Sequence, residues 1–229
     1  MLDRMSSTPD APPSTSAARR PQAERSQETR TRILDAAVEL LVEGGYARAN
    51  TLAIQAKAGV SRGRLLHQFP SKEELLVAAA HHVWEKRRSA SASTEPLPTD
   101  PEARIDAIVE GLWLSFREPQ FWAATELWVA ARTEPALADV IRPAERRLGR
   151  EIWASMDALF GPDLAAHPMY PVVRHTLFTS MRGVALTYAF DRRDATTEPS
   201  LANWKQLVKA ILLRPETPKS PKSDGDHAL

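Results

Sequence analysis

From position 28 onward the chain places apolar residues every three or four positions, with Ile33, Leu34, Ala37, Val38, Leu40 and Leu41 along one stripe. That spacing predicts an amphipathic helix, and the pair Gly44-Gly45 predicts its end. Thr51 is expected to cap a short second helix, TLAIQAKA, which Gly59 stops. Ser61 is expected to cap a third, SRGRLLHQF, closed by Pro70. Ser71 with Glu74 three residues on makes a capping box for a fourth, running to about 88 through Leu75, Leu76, Ala79 and Val83. The segment SASASTEPLPTDP then reads as a linker.

Five further helices are predicted over 101–117, 120–132, 136–160, 170–191 and 199–213, with breaks at Pro119, Pro135, Pro162, Pro168 and Pro199. Pro143 is expected to kink or split the longest of them. No segment alternates well enough to be a strand and no internal repeat occurs, so the chain reads as all-α with about nine helices. Residues 1–25 and 214–229 are polar, lack periodicity and read as disordered tails.

Composition adds a division of labour. The net charge is only +1, yet residues 1–88 carry an excess of Lys and Arg, and the remainder an excess of Asp and Glu. Most aromatic residues also fall after 88. A basic, aromatic-poor first part and an acidic, aromatic-rich second part suggest two tasks. The chain has no cysteine, which excludes disulfides, thiolate metal sites and cysteine nucleophiles. No apolar run reaches the roughly 18 to 20 residues that span a bilayer, and the first twenty residues lack the core of a secretory signal. A cytoplasmic protein without a membrane partner is expected.

One pentapeptide, GVSRG at 59–63, matches the pattern that presents a nucleophilic serine in α/β-hydrolases. That chemistry needs a strand before the motif, and TLAIQAKA, rich in Ala with Gln and Lys, makes a poor one. A helix, a turn through Gly59 and a second helix capped by Ser61 make a helix-turn-helix instead, whose second helix enters the DNA major groove. Gly59 supplies a positive φ cheaply. Val60, with Leu52, Leu65 and Phe69, is expected to fill the angle between the helices. Arg62, Gly63, Arg64 and His67 are then left at the leading end or outer face, where an arginine can bridge guanine O6 and N7. His81, His82 and Glu85 are read as polar residues of the fourth helix, and no metalloprotease, P-loop or dinucleotide motif is present. Neither enzyme activity nor a cofactor or metal is expected.

The ordered set of IL-AA ending in GGY, then Thr51, AGVS, Gly63, Leu65, His67, Phe69 and SKEEL, over about 28–78, resembles the DNA-binding domain of the tetracycline-repressor (TetR) family. The resemblance implies a helix-turn-helix domain over 26–70, a connecting helix over 71–88 and an effector-binding and dimerisation domain over 101–213. It implies phosphate contacts from Thr51 and Lys72, a further backbone contact from Arg48, and contact with bases or the backbone by Arg62, Gly63, Arg64 and His67. Ser61 opens that helix and belongs to the same set. Leu66 stands where a tyrosine often contacts the backbone, Gln68 where a second aromatic is common, and Gln55 where a small residue is usual. Arg19 and Arg20 could reach a minor groove.

For the second half the resemblance implies a small-molecule cavity and a dimer formed by the last two helices. Candidates for the effector site are Trp113, Phe116, Phe121, Trp122, Trp128 and Phe178, with Arg132, His175 and Arg182 as polar anchors. Arg174 is a fourth candidate polar anchor. Apolar stripes through Val173, Leu177, Met181, Val184 and Tyr188, and through Leu201, Trp204, Val208 and Ile211, are the candidate dimer interface. The expected protein is a homodimeric regulator, a repressor, bound to a palindromic double-stranded operator and released by a small apolar or amphipathic effector. The rival readings are a serine hydrolase built on GVSRG and a helical adaptor without DNA binding.

Overall fold

A computed structural model describes residues 16–91, 96–191 and 193–214. Among these residues every regular element is helical. The helices are α1 (Ser16–Arg48), α2 (Thr51–Ala58), α3 (Arg62–Gln68), α4 (Lys72–Ser91) and α5 (Pro101–Ser115). They continue with α6 (Pro119–Ala130), α7 (Pro135–Ala165), α8 (Tyr170–Thr187) and α9 (Pro199–Leu212), and a short 3-10 turn at Ala195–Thr197 precedes α9.

Local chemistry accounts for most boundaries. Ser61 Oγ accepts the Arg64 N–H at 3.3 Å, and Ser71 Oγ accepts the Glu74 N–H at 3.1 Å. Both serines therefore cap the helices that follow them. At α2 the expectation was Thr51, but Asn50 is the cap, its side chain accepting the Ala53 N–H at 2.9 Å. Asparagine is the stronger cap of the two. Gly59 ends α2 in the left-handed region at φ 64°, as the turn requires.

Several boundaries differ from expectation. The tail assigned to 1–25 is shorter, because α1 begins at Ser16; Ala, Arg, Gln and Glu there favour helix enough to carry the backbone through Pro21. Residues 1–15 and 215–229 lie outside the described residues, as do the side chains of Arg19 and Arg20. Helix α7 runs through Pro143, and its backbone break falls at Gly161, with φ 81° and ψ 167°. A like break at Gly45, φ 70° and ψ −177°, separates the body of α1 from its last turn. Helix α8 stops at Thr187, short of the expected 191.

Two apolar cores form. The first gathers Ile33, Ala37, Leu41, Ile54, Leu65, Phe69, Leu75 and Leu76 from α1–α4. It also takes Ala123 and Leu127 of α6 with Leu137 and Ile141 of α7. The basic half is thus sealed onto the second half through apolar contact. The second core unites α5, α6, α7, α8 and α9 around Trp113, Phe121, Phe160, Leu177, Met181, Trp204 and Val208. Trp128 packs against both.

Candidate nucleic-acid interface and effector cavity

Val60, Leu65 and Phe69 hold α3 against the first core, which leaves Ser61, Arg62, Gly63, Arg64, Leu66 and His67 exposed. Leu52, expected to help fill the helix angle, instead points outward at 72% exposure. Its position one residue into α2 puts it beside exposed Thr51. Gln55 is half-buried, and its carbonyl accepts the Val60 N–H at 3.2 Å.

The recognition helix is laced to α1. Gln68 Nε2 donates to Ser26 Oγ at 3.0 Å, and Arg30 Nη1 donates to the Gln68 carbonyl at 3.4 Å. The Arg30 guanidinium also lies 4.4 Å from the centre of the Phe69 ring. Lys57 joins α2 to α1 through Glu39 at 2.8 Å and Glu43 at 3.5 Å. Lys72 is half-buried, with Nζ 3.7 Å from the Tyr46 ring centre and 3.4 Å from its carbonyl. Burial pushes the Tyr46 hydroxyl above its ordinary range, with Glu73 and Glu134 adding to it. The ties from Ser26 and Arg30 were not legible in sequence, because the partners lie 42 and 38 residues apart.

A second feature is a cavity of about 500 Å³ lined by residues of α1, α5, α6 and the end of α8. Of the expected effector residues, Trp113, Phe116 and Trp122 line it. The Trp113 indole N–H donates to the Ala195 carbonyl at 2.7 Å, which fixes that wall. Tyr188, expected at a dimer interface, lines the cavity as well and donates its hydroxyl to Glu198 Oε2 at 2.7 Å. Burial and the Glu198 carboxylate push the Tyr188 hydroxyl up to about 12.

The other expected effector residues sit elsewhere. Phe121 is buried in the second core, edge-on to Phe116 and Trp122. Arg182 lies over Trp128 and Phe178, at 5.7 Å and 5.8 Å from their ring centres. Phe178 meets Phe116 at a tilt and Trp153 edge-to-face. Arg132 is exposed beyond the end of α6, and exposed His175 rests near Trp153. Arg174 reaches Asp157. Sequence reasoning missed Val42, Arg117, Glu126, Ala185, Ala189 and Arg193, which complete the cavity. Only Glu126 carried a signal: it stands four residues after Trp122, hence on the same helix face.

The candidate dimer stripes pack on the second core of their own chain. Val173, Leu177, Met181, Trp204 and Val208 are buried in the core of this one chain, and Val184, Tyr188, Leu201 and Ile211 pack half-buried on the same core. The exposed apolar residues of these helices are Val172, Leu186 and Leu207, with Phe190 just beyond α8. Periodicity marked the buried face correctly but could not say what covers it.

A short helix with an exposed arginine-bearing N-terminal turn, set by a glycine turn against a preceding helix, defines a helix-turn-helix DNA-binding protein. Residues 33–79 match the model of the bacterial regulatory proteins, tetR family. The HTH-type transcriptional regulator CymR of Pseudomonas putida is 32% identical over 173 residues, which span 73% of this chain and 83% of that relative. The chain belongs to the tetR family of transcriptional regulators. A transcriptional regulator from Rhodococcus sp. Rha1 shares the fold at a TM-score of 0.58 and 23% identity, covering 80% of this chain and 95% of that one. The multidrug binding protein EbrR, solved with ethidium, does so at 0.55 and 23%, covering 80% and 98%.

Proposed function

We propose that this regulator is a cytoplasmic homodimeric repressor. It binds a palindromic double-stranded operator and leaves it when a small apolar or amphipathic molecule fills the 500 Å³ cavity. The observation that carries this reading is the cavity's reach: it is walled by Trp113, Phe116 and Trp122 of the second half, yet also by Val42 of α1, the helix that holds α3. A ligand there touches both halves of the chain.

DNA would be met by Arg48, Thr51, Ser61, Arg62, Gly63, Arg64, Leu66 and His67, with Lys72 at the start of α4. Dimerisation would place two α3 helices in successive major grooves about 34–36 Å apart or farther. Val172, Leu186 and Leu207 supply apolar surface for that contact on α8 and α9. Release requires that the effector bind one arrangement of the two heads better than the other, since equal affinity shifts nothing. EbrR, a structural neighbour solved with bound dyes, offers a precedent for ligand binding in this fold.

Selection of bound sequences from random duplex DNA tests the proposal. A palindrome, with affinity falling steeply as salt rises, is expected. Salt-independent or absent duplex binding would leave only a helical adaptor of the same fold.

A further inference from the structure

The 500 Å³ cavity has unlike ends. Arg117 stands two residues before Pro119, the first residue of α6, and Glu126 lies about 10 Å further along that helix axis at 1.5 Å per residue. Trp113, Phe116 and Trp122 supply aromatic wall to the same cavity.

At the first end Arg193 is already committed. Its guanidinium meets Asp191 at 3.0 Å, Thr187 at 2.8 Å and the Tyr188 ring at 4.7 Å. Among the described residues Arg117 makes no comparable cage; its charge acts on Tyr188 and Asp194, favouring the ionised form of each. A planar guanidinium there is suited to two parallel hydrogen bonds from a ligand carboxylate.

At the other end the Glu126 carboxylate rests against the backbone of Gly45, where an added Cβ would stand 2.7 Å from Oε2. Glu126 also lines a smaller cavity of about 300 Å³ with Gly44, Gly45, Tyr46 and Ala47. One carboxylate therefore belongs to the effector cavity and to the bend that ends α1. Beyond that bend, Tyr46 carries Lys72 at the start of α4, and Asn50 caps α2.

We propose that the cavity takes an aromatic carboxylate of about 10 Å whose far end bears a hydrogen-bond donor. The acid end meets Arg117, and the donor draws Glu126 away from the Gly44–Gly45 backbone. This inference rests on the effector reading above and adds the ligand's chemistry and the residue that reports it. A donor to a carboxylate forms a charge-assisted bond, and its differential formation in one state is what shifts the equilibrium.

Two probes differ only by the donor: 3-phenylpropanoate and 3-(4-hydroxyphenyl)propanoate. Calorimetry on the full chain is expected to show about tenfold tighter binding of the hydroxylated acid. That acid alone is expected to release a duplex obtained by sequence selection. In Glu126→Leu the preference vanishes, and in Glu126→Gln, which keeps the size, it shrinks. Arg117→Met weakens both acids equally. Equal binding and equal release by the two acids, or a preference that survives Glu126→Leu, overturns the inference.

Failure of both acids to bind also overturns it, and 8-anilinonaphthalene-1-sulfonate then separates the two readings. Dye fluorescence that is lost on filling the cavity with Ala189→Trp keeps the effector reading. No dye binding to the wild type removes that reading as well.

Discussion

The Arg64 guanidinium donates to the Thr29 hydroxyl at 3.4 Å, and Thr29 donates in turn to the Arg25 carbonyl at 2.8 Å. Thr29 is only 5% exposed, so this relay fixes one recognition-helix arginine against α1 while Arg62 is exposed at the leading turn. Arg64→Ala is expected to weaken duplex binding and lower the salt slope by about 1, the signature of one lost phosphate contact. Thr29→Val should weaken binding less, and the double variant no more than Arg64→Ala alone. Anisotropy titrations at several salt concentrations read this cycle. Additive losses would mean that the two residues act independently.

Arg62 has a different expected signature. Exposed at the first position of α3, it is placed for a base edge, where a bidentate guanine contact is worth about 1–3 kcal/mol of discrimination. Arg62→Ala should relax specificity at one operator position more than it weakens binding to random duplex. A uniform loss over all sequences would reassign Arg62 to the backbone.

Ser61 tests the hydrolase reading directly. Its Oγ accepts the Arg64 N–H, so Ser61→Ala removes a cap and costs about 1 kcal/mol. A thermal melt should fall by about 2–4 °C for a chain of this size. Ester hydrolysis should be absent before and after the change; activity that disappears with Ser61 would restore the catalytic reading.

These residues also mark where sequence was sufficient. The caps at Ser61 and Ser71 are short-range devices, three residues from donor to acceptor, and the helix boundaries followed from them. The exposed face of α3 followed from helical spacing once Leu65 and Phe69 were taken as its buried side. The cavity was different. Trp113 was named, but Val42, Glu126 and Arg193 come from α1, α6 and the turn after α8, and only tertiary packing brings them together. The stripes on α8 and α9 were legible as buried faces, but apolar periodicity says nothing of whether one chain or two do the burying.

Stability should depend on pH through His81. Arg147 Nη2 lies 3.3 Å from His81 Nδ1, which makes the neutral ring the acceptor of a bond from α7 to α4. Burial lowers the His81 pKa below its ordinary value of 6.5, and the Arg147 charge lowers it further, against weaker opposition from Glu151 and Glu85. The unfolded chain therefore binds a proton that the folded chain refuses between the folded pKa and 6.5. Stability rises with pH across that window, is complete above 6.5 and is lost as pH falls through it. Denaturant titrations should show this decline, and His81→Gln, neutral throughout, should flatten it. An unchanged slope would place the sensitive group elsewhere.

Two glycine substitutions separate backbone strain from close contact. Gly59 sits at φ 64°, ψ 40°, with nothing within 4 Å of an added Cβ. Gly59→Ala thus carries only the left-handed penalty of about 1–2 kcal/mol. Gly45 sits at φ 70°, ψ −177°, a region open essentially to glycine alone and worth about 1–3 kcal/mol to any other residue. Its Cβ would also meet the Glu126 carboxylate. Gly45→Ala should therefore destabilise more than Gly59→Ala in denaturant titration. Adding Glu126→Ala should recover the contact part of the loss and leave the φ part. Full recovery would show that the bend at Gly45 is set by Glu126, and no recovery would show that the backbone alone requires glycine there.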